Sequence, residues 1–201
     1  MPGGEMPFTE PCQAINVRDT LRYSMEFQLD QATEVLQRTP AVLDALLRGK
    51  SEAWLNCRIG PGTFSPVDVL GHLISGEMTD WMPRAEIILK CGEGRAFDPF
   101  DRFGFAPLLH GRSVDELLTQ FAELRAKSLA ALEALRLDDR ALDLTGMHPD
   151  PALGRVTMKN LLATWVVHDL GHIAQIMRIM SSEYREEVGP WRQYLTIIPE
   201  T

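Results

Sequence analysis

Apolar residues recur along this chain with helical spacing in four stretches, and convincing strand alternation appears in none. The first runs from about Tyr23 to Leu47, with Leu29, Ala32, Val35 and Leu36 on one face and Val42, Leu43, Leu46 and Leu47 after Thr39-Pro40. An interior proline lacks the N–H that a helix uses, so a kink is predicted there, or a restart with Thr39 as N-cap. The second opens at Ser65-Pro66-Val67-Asp68, a serine cap followed by proline at the first helical position, and continues to about Lys90 with a bend at Pro83. A capping box, Ser113-Val114-Asp115-Glu116, starts the third; Val114, Leu117, Leu118, Phe121 and Leu124 carry its apolar stripe, and it ends near Leu137. The fourth spans about Thr157 to Ser181. Four amphipathic helices with no strands between them predict an all-α fold, a four-helix bundle.

The connections are unequal. Between the second and third helices lies C-G-E-G-R-A-F-D-P-F-D-R-F-G-F-A-P-L-L-H-G-R, long and aromatic where most bundle connections are short. It reads either as a lid or as a crossover whose Phe97, Phe100, Phe103 and Phe105 pack over the end of the bundle. The tail from Ser182 contains V-G-P-W-R-Q-Y-L, where Trp191, Tyr194 and Leu195 either seal the core or make a subunit contact.

Length and composition narrow the classes. A chain of 201 residues is most simply one domain and can bury roughly 70% of the surface its unfolded form exposes. We expect residues 1–22 to be an N-terminal extension and 23–201 the helical-bundle domain. A net charge of -8 with no cluster of Lys and Arg argues against a nucleic-acid partner. No apolar run approaches the ~18 residues that span a bilayer, and the N-terminus lacks a signal-peptide pattern, so the expected location is the cytoplasm, with no membrane partner. Cys12, Cys57 and Cys91 are an odd number without C-x-x-C spacing, consistent with reduced thiols. Cys91 reads as a small packed hydrophobe in preference to a reactive thiol.

Candidate chemistry sits in W-V-V-H-D-L-G-H-I-A-Q, Trp165 to Gln175. Residues four apart on a helix are about 40° apart in azimuth, so His168 and His172 project from one face, and Leu161, Trp165, Gln175 and Ile179 place that face toward the core. A buried imidazole needs a hydrogen bond or a metal. A tight metal site needs a third protein ligand, and His72, in V-L-G-H-L-I-S-G-E-M on the second helix, is the candidate; His110 and His148 fall in loop-like segments. The competing readings are packed core histidines and a zincin-like H-D-L-G-H in which Asp169 stands where H-E-x-x-H has its general base. Asp169 either supports an imidazole or makes a surface ion pair. Gln175 either holds a water or substrate or only satisfies the interior, and Glu77 and Asp80 read as a solvated face.

The segments S-P-V-D-V-L-G-H-L-I-S-G-E-M-T-D-W-M-P-R-A-E-I-I-L and G-R-V-T-M-K-N-L-L-A-T-W-V-V-H-D-L-G-H-I-A-Q-I resemble the DinB-like (DinB/YfiT-like) superfamily, as do R-T-P-A-V-L, F-D-P-F-D-R-F and V-G-P-W-R-Q-Y-L. This similarity covers nearly the whole chain after about residue 25. It implies an up-down-down-up four-helix bundle holding one divalent cation, nickel or zinc, on a histidine of the second helix and an H-x-x-x-H pair of the fourth, which match His72, His168 and His172. It also implies homodimers, and relatives that include metal-dependent hydrolases, thiol-dependent S-transferases and a mycothiol-dependent maleylpyruvate isomerase.

Three neutral imidazoles leave a cation its full charge, which makes hydroxide from water, or thiolate from a low-molecular-weight thiol, accessible near neutral pH. The expected function is therefore a metal-dependent enzyme of hydrolase or thiol S-transferase type acting on a small-molecule substrate. The alternatives are a metal- or small-ligand-binding bundle in a stress or detoxification role without turnover, and an interaction protein whose histidines only pack.

Overall fold

Reciprocal caps fix the starts of three of the four long helices. In this computed structural model, which describes residues 25–198, α1 covers Leu29–Leu47, the short α2 Glu52–Asn56, α3 Pro66–Thr79, α4 Trp81–Cys91, α5 Ala106–Leu109, α6 Val114–Ala134, α7 Asp139–Leu142 and α8 Met158–Ser182. Capping boxes join Ser65 to Asp68, Ser113 to Glu116 and Thr157 to Asn160, so orphan N–H groups at each start are satisfied within one turn. Tyr23, the predicted start of the first helix, and the whole 1–22 extension lie outside the described residues; Met25–Gln28 are non-helical.

The two prolines act in different ways. The second helix breaks at Asp80, three residues before Pro83, where the backbone turns to φ -111° and ψ -71°. Pro83 thus falls in the first turn of α4, where its missing N–H has no intrahelical acceptor to serve. Pro40 neither stops nor restarts α1, and Thr39 is not an N-cap but a buried interior residue. What a proline removes at this position is the N–H bond to the carbonyl four residues earlier, that of Leu36. That carbonyl accepts instead from Arg125 Nη1 of α6 at 2.8 Å. The proline's defect is repaired by another helix.

Helix direction follows from the two apolar clusters. One gathers Leu43 and Leu47 from the end of α1, Val69 to Ile74 from α3, Leu117 to Phe121 from the start of α6, and Ile176 and Ile179 from the end of α8. The other gathers Leu36, then Ala85 and Ile88 of α4, Leu132 near the end of α6, and Leu161 to Trp165 near the start of α8. So α1 and α8 run one way and α3–α4 and α6 the other: up, down, down, up. The first helix packs on α6 and α8, and α3 packs on the same two.

Between the two clusters lies a polar layer with one residue from each long helix, each at a position where its neighbours in the stripe are buried apolar groups: Thr39, Glu77, Arg125 and Asp169. Arg125 donates from Nε and Nη2 to Glu77 Oε1 (3.1 and 2.9 Å), from Nη1 and Nη2 to Asp169 Oδ2 and Oδ1 (2.7 and 3.1 Å), and from Nη1 to the Leu36 carbonyl. All five guanidinium N–H groups are used. Thr39 Oγ1 donates to Asp169 Oδ2 at 2.7 Å, and Trp165 Nε1 to Glu77 Oε1 at 3.1 Å.

The connections add what the periodicity did not predict. Two three-residue strands, β1 (Thr145–Met147) and β2 (Arg155–Thr157), pair antiparallel ahead of α8, and Phe97 of the long connection donates its N–H to Met147. Three residues are too few to show an alternation. That connection is part crossover and part cover: Phe97 and Phe105 are buried, Phe100 is half-buried and Phe103 is exposed. Its short α5 docks against α3 at Gly71, where a Cβ would stand 2.8 Å from Leu109 and 3.0 Å from Phe105.

Removing the cation from a buried pair leaves charges without compensation. Arg125→Met should therefore lower the unfolding free energy by about 3–5 kcal/mol. Thr39→Val, which removes one of several bonds to Asp169, should cost about 1 kcal/mol. Chemical denaturation measures both, and equal small losses would show that the layer does not hold the bundle.

Candidate metal centre

Three imidazoles converge between the second and fourth helices of the bundle. His72 lies in the second turn of α3, and His168 and His172 stand one turn apart on α8, so the antiparallel packing of these helices brings the three together. The Nε2 atom of His168 is 3.2 Å from that of His72 and 3.1 Å from that of His172. Nitrogens that share a cation at about 2 Å each are separated by roughly 3 Å, so the spacing fits a common ion. Aromatic rings enclose them: Trp81 is 5.0 Å from His168, Phe100 stands edge-on 5.3 Å from His72, and Phe64 is 5.9 Å from His72.

Burial keeps these imidazoles in the form that ligates a metal. It pushes His72 down to about 4, helped by His172 and the positive charge of Arg102 and opposed by the Arg102 carbonyl beside the ring. His168 is pushed down to about 3 by burial first, then by its two histidine neighbours and Arg125. His172 is lowered by burial against a bond from Gln175. Its Nδ1 lies 2.8 Å from Gln175 Oε1, which sets Nδ1 as the protonated nitrogen and leaves the Nε2 lone pair facing the cluster. Among the described residues Nδ1 of His168 has no hydrogen-bond partner, and Nδ1 of His72 has no well-formed one beyond the Arg102 carbonyl beside the ring.

Asp169 takes a place the zincin-like reading does not allow. It is wholly buried, turned 100° from His168 into the core, and bound to Arg125 and Thr39 rather than to an imidazole. No geometry remains for it as a general base at the cluster. Glu77 and Asp80, expected on a solvated face, are buried as well; burial raises both, against Arg125 for Glu77 and against the ion pair with Arg84 for Asp80. His110 is exposed and His148 is half-buried, with its Nδ1 accepting from the Asp150 N–H; neither joins the cluster. Cys91 is exposed at the end of α4, not packed, and Cys57 is buried; Cys12 lies outside the described residues. Trp191 and Tyr194 of the tail are exposed and do not seal the core. A cavity of about 1450 Å³ beside α1 and α6 is lined by Phe27, Leu29, Leu129 and Leu132 among others, and none of the three histidines borders it.

Sequence periodicity missed Arg125 and Arg102. For Arg125 a signal existed: it interrupts the stripe Leu118, Phe121, Ser128, Leu132 at a core position. Nothing in the pattern of the long connection singled out Arg102.

Up-down-down-up connectivity with histidines from the second and fourth helices defines a helical-bundle protein with a candidate metal centre. A family model described as the DinB superfamily matches residues 35–176, and the chain belongs to that superfamily. Among solved structures, YfiT from Bacillus subtilis, described as a probable metal-dependent hydrolase with an unusual four-helix bundle topology, is similar with a TM-score of 0.64 at 23% identity. The match covers 90% of this chain and 94% of that one, and it shows the fold. No curated protein matches the chain.

His168→Ala should lose bound metal while its helical circular dichroism is unchanged, because apolar residues supply the core. His110→Ala and His148→Ala should keep the wild-type metal content by elemental analysis. A loss in either equal to that of His168→Ala would mean the third ligand is misassigned.

Proposed function

We propose that this protein is a metal-dependent enzyme acting on a small molecule, of hydrolase or thiol S-transferase type, with nickel or zinc on His72, His168 and His172. The observation that carries this reading is the donor count: among the described residues three side chains, all neutral, offer ligand atoms to one point. Structural zinc sites close with four protein ligands, whereas catalytic sites use three and leave a position for water or substrate. When bound, such a cation supplies Lewis acidity, lowering the pKa of a coordinated water or low-molecular-weight thiol.

The protein's own residues divide the remaining work. Gln175 fixes the tautomer and orientation of His172. Phe64, Phe100 and Trp81 border the imidazoles and lower the polarity around them, which strengthens electrostatic interactions there. The buried carboxylates of the polar layer, Glu77 and Asp169, both bind Arg125, and neither is hydrogen-bonded to an imidazole of the cluster. That favours a nucleophile ionised by the cation over one activated by a carboxylate.

Protein purified without chelator should contain about one equivalent of nickel or zinc per chain and should consume an ester, an amide or a thiol–electrophile pair in a metal-dependent way. Chelation should abolish turnover and either ion should restore it. Metal without turnover in any of these assays would leave a binding protein; no metal, even after reconstitution, would leave the histidines as packing residues.

A second copy of the chain is the partner we propose. Support comes from the outer face of α8, where Val167, Leu170 and Met177 form an exposed apolar stripe at helical spacing. Leu170→Glu should convert a dimer to a monomer in sedimentation analysis; a monomeric wild type would exclude this partner. No helix among the described residues is long and apolar enough to cross a membrane, and a cytoplasmic location remains part of the proposal.

A further inference from the structure

We propose, resting on the reading that the three histidines hold a cation, that the substrate carries a carboxylate or phosphate group and that Arg102 grips this group at the mouth of the site. Arg102 belongs to the long connection between α4 and α6, the segment that also brings Phe100 edge-on to His72 at 5.3 Å. Its guanidinium lies over the ring of Phe64 at 5.2 Å and near that of Phe103 at 5.7 Å. Phe64 is in turn 5.9 Å from His72, so the positive charge stands one aromatic ring from the cluster.

Two features make this arginine available. It is exposed, and among the described residues no carboxylate lies within 4 Å of it, in contrast to Arg48, Arg58, Arg84, Arg95 and Arg125. Stacking on aromatic faces occupies the flat side of a guanidinium and leaves its edge, with five N–H donors in a fork, to bind an oxyanion bidentately. The stacking also holds the side chain in place, so less conformational freedom is lost when the anion arrives.

Charge balance at the centre points the same way. Three neutral imidazoles contribute no negative charge, and the two carboxylates nearest in the fold are turned into the polar layer and bound to Arg125. A divalent cation among the histidines would stand one aromatic ring from the Arg102 guanidinium, with no carboxylate among the described residues paired to that arginine. An anionic substrate supplies the missing charge, with its oxyanion on Arg102 and its reacting group toward the histidines.

Isothermal titration of the zinc-loaded full chain with acetate, with inorganic phosphate and with neutral acetamide tests this. The anion that fits should bind, acetamide should not, and Arg102→Gln should weaken the anion by about tenfold or more, the loss expected for a charge-assisted hydrogen bond. Arg102→Lys, which keeps the charge and loses the fork, should fall between. Whichever anion depends on Arg102 identifies the group as carboxylate or phosphate. Equal affinity in wild type and Arg102→Gln, with zinc retained in both by elemental analysis, would overturn the proposal alone. A wild type that takes up no zinc would overturn the cation reading and this proposal with it.

Discussion

A guanidinium buried to 1% exposure in the middle of a helical bundle is tolerable only if every one of its donors is met, and Arg125 meets that condition by drawing on the other three long helices. The demand is geometric. Glu77 must face inward from α3, Asp169 from α8, and the Leu36 carbonyl must be left without an intrahelical donor, which Pro40 ensures. Apolar packing alone would accept several rotations of each helix; a five-bond centre accepts few. With Asp169 pointing into the axis, its neighbour His168 and, one turn on, His172 must lie on the flank of α8 that faces His72.

The same layer sets the electrical character of the candidate metal centre. Glu77 and Asp169 could each have reached toward the imidazoles from the next turn or the next residue, and either would have added negative charge there. Arg125 occupies both. Burial keeps the imidazoles neutral, and a cation held among them would keep its acidity. Stability and chemistry thus depend on one arginine in different ways: the bundle needs its bonds, and the histidine cluster needs the carboxylates it withholds.

Much of this was legible in the sequence. Four periods of 3.6 and the capping sequences at Ser65 and Ser113 mark the long helices within a few residues, and spacing plus the apolar setting of His72 point to one cluster of three histidines. The failures share a cause. Local rules treat a proline in a helix as a kink or a restart and a charge on a helix as solvated, which is how Pro40, Asp169 and Glu77 read, and they pass over Arg125 altogether. Each is corrected by a partner more than 40 positions away in the chain, and no window of a few turns contains it. The hairpin was missed because three-residue strands carry no alternation, and Arg102 because an exposed arginine in an irregular segment looks like any other.

Neither the histidines nor the four residues of the polar layer lie on the connection between α4 and α6. Phe97 and Phe105 anchor that connection in the core, but changes at its exposed positions, such as Asp101, Arg102 and Phe103, would leave the histidines and the polar layer in place, and closing a longer loop costs little, about 0.6 kcal/mol for each doubling. The framework and the entrance to the site are therefore separable units of variation, and a lineage could exchange one substrate for another by rewriting this single surface segment while the machinery beneath it stayed as it is.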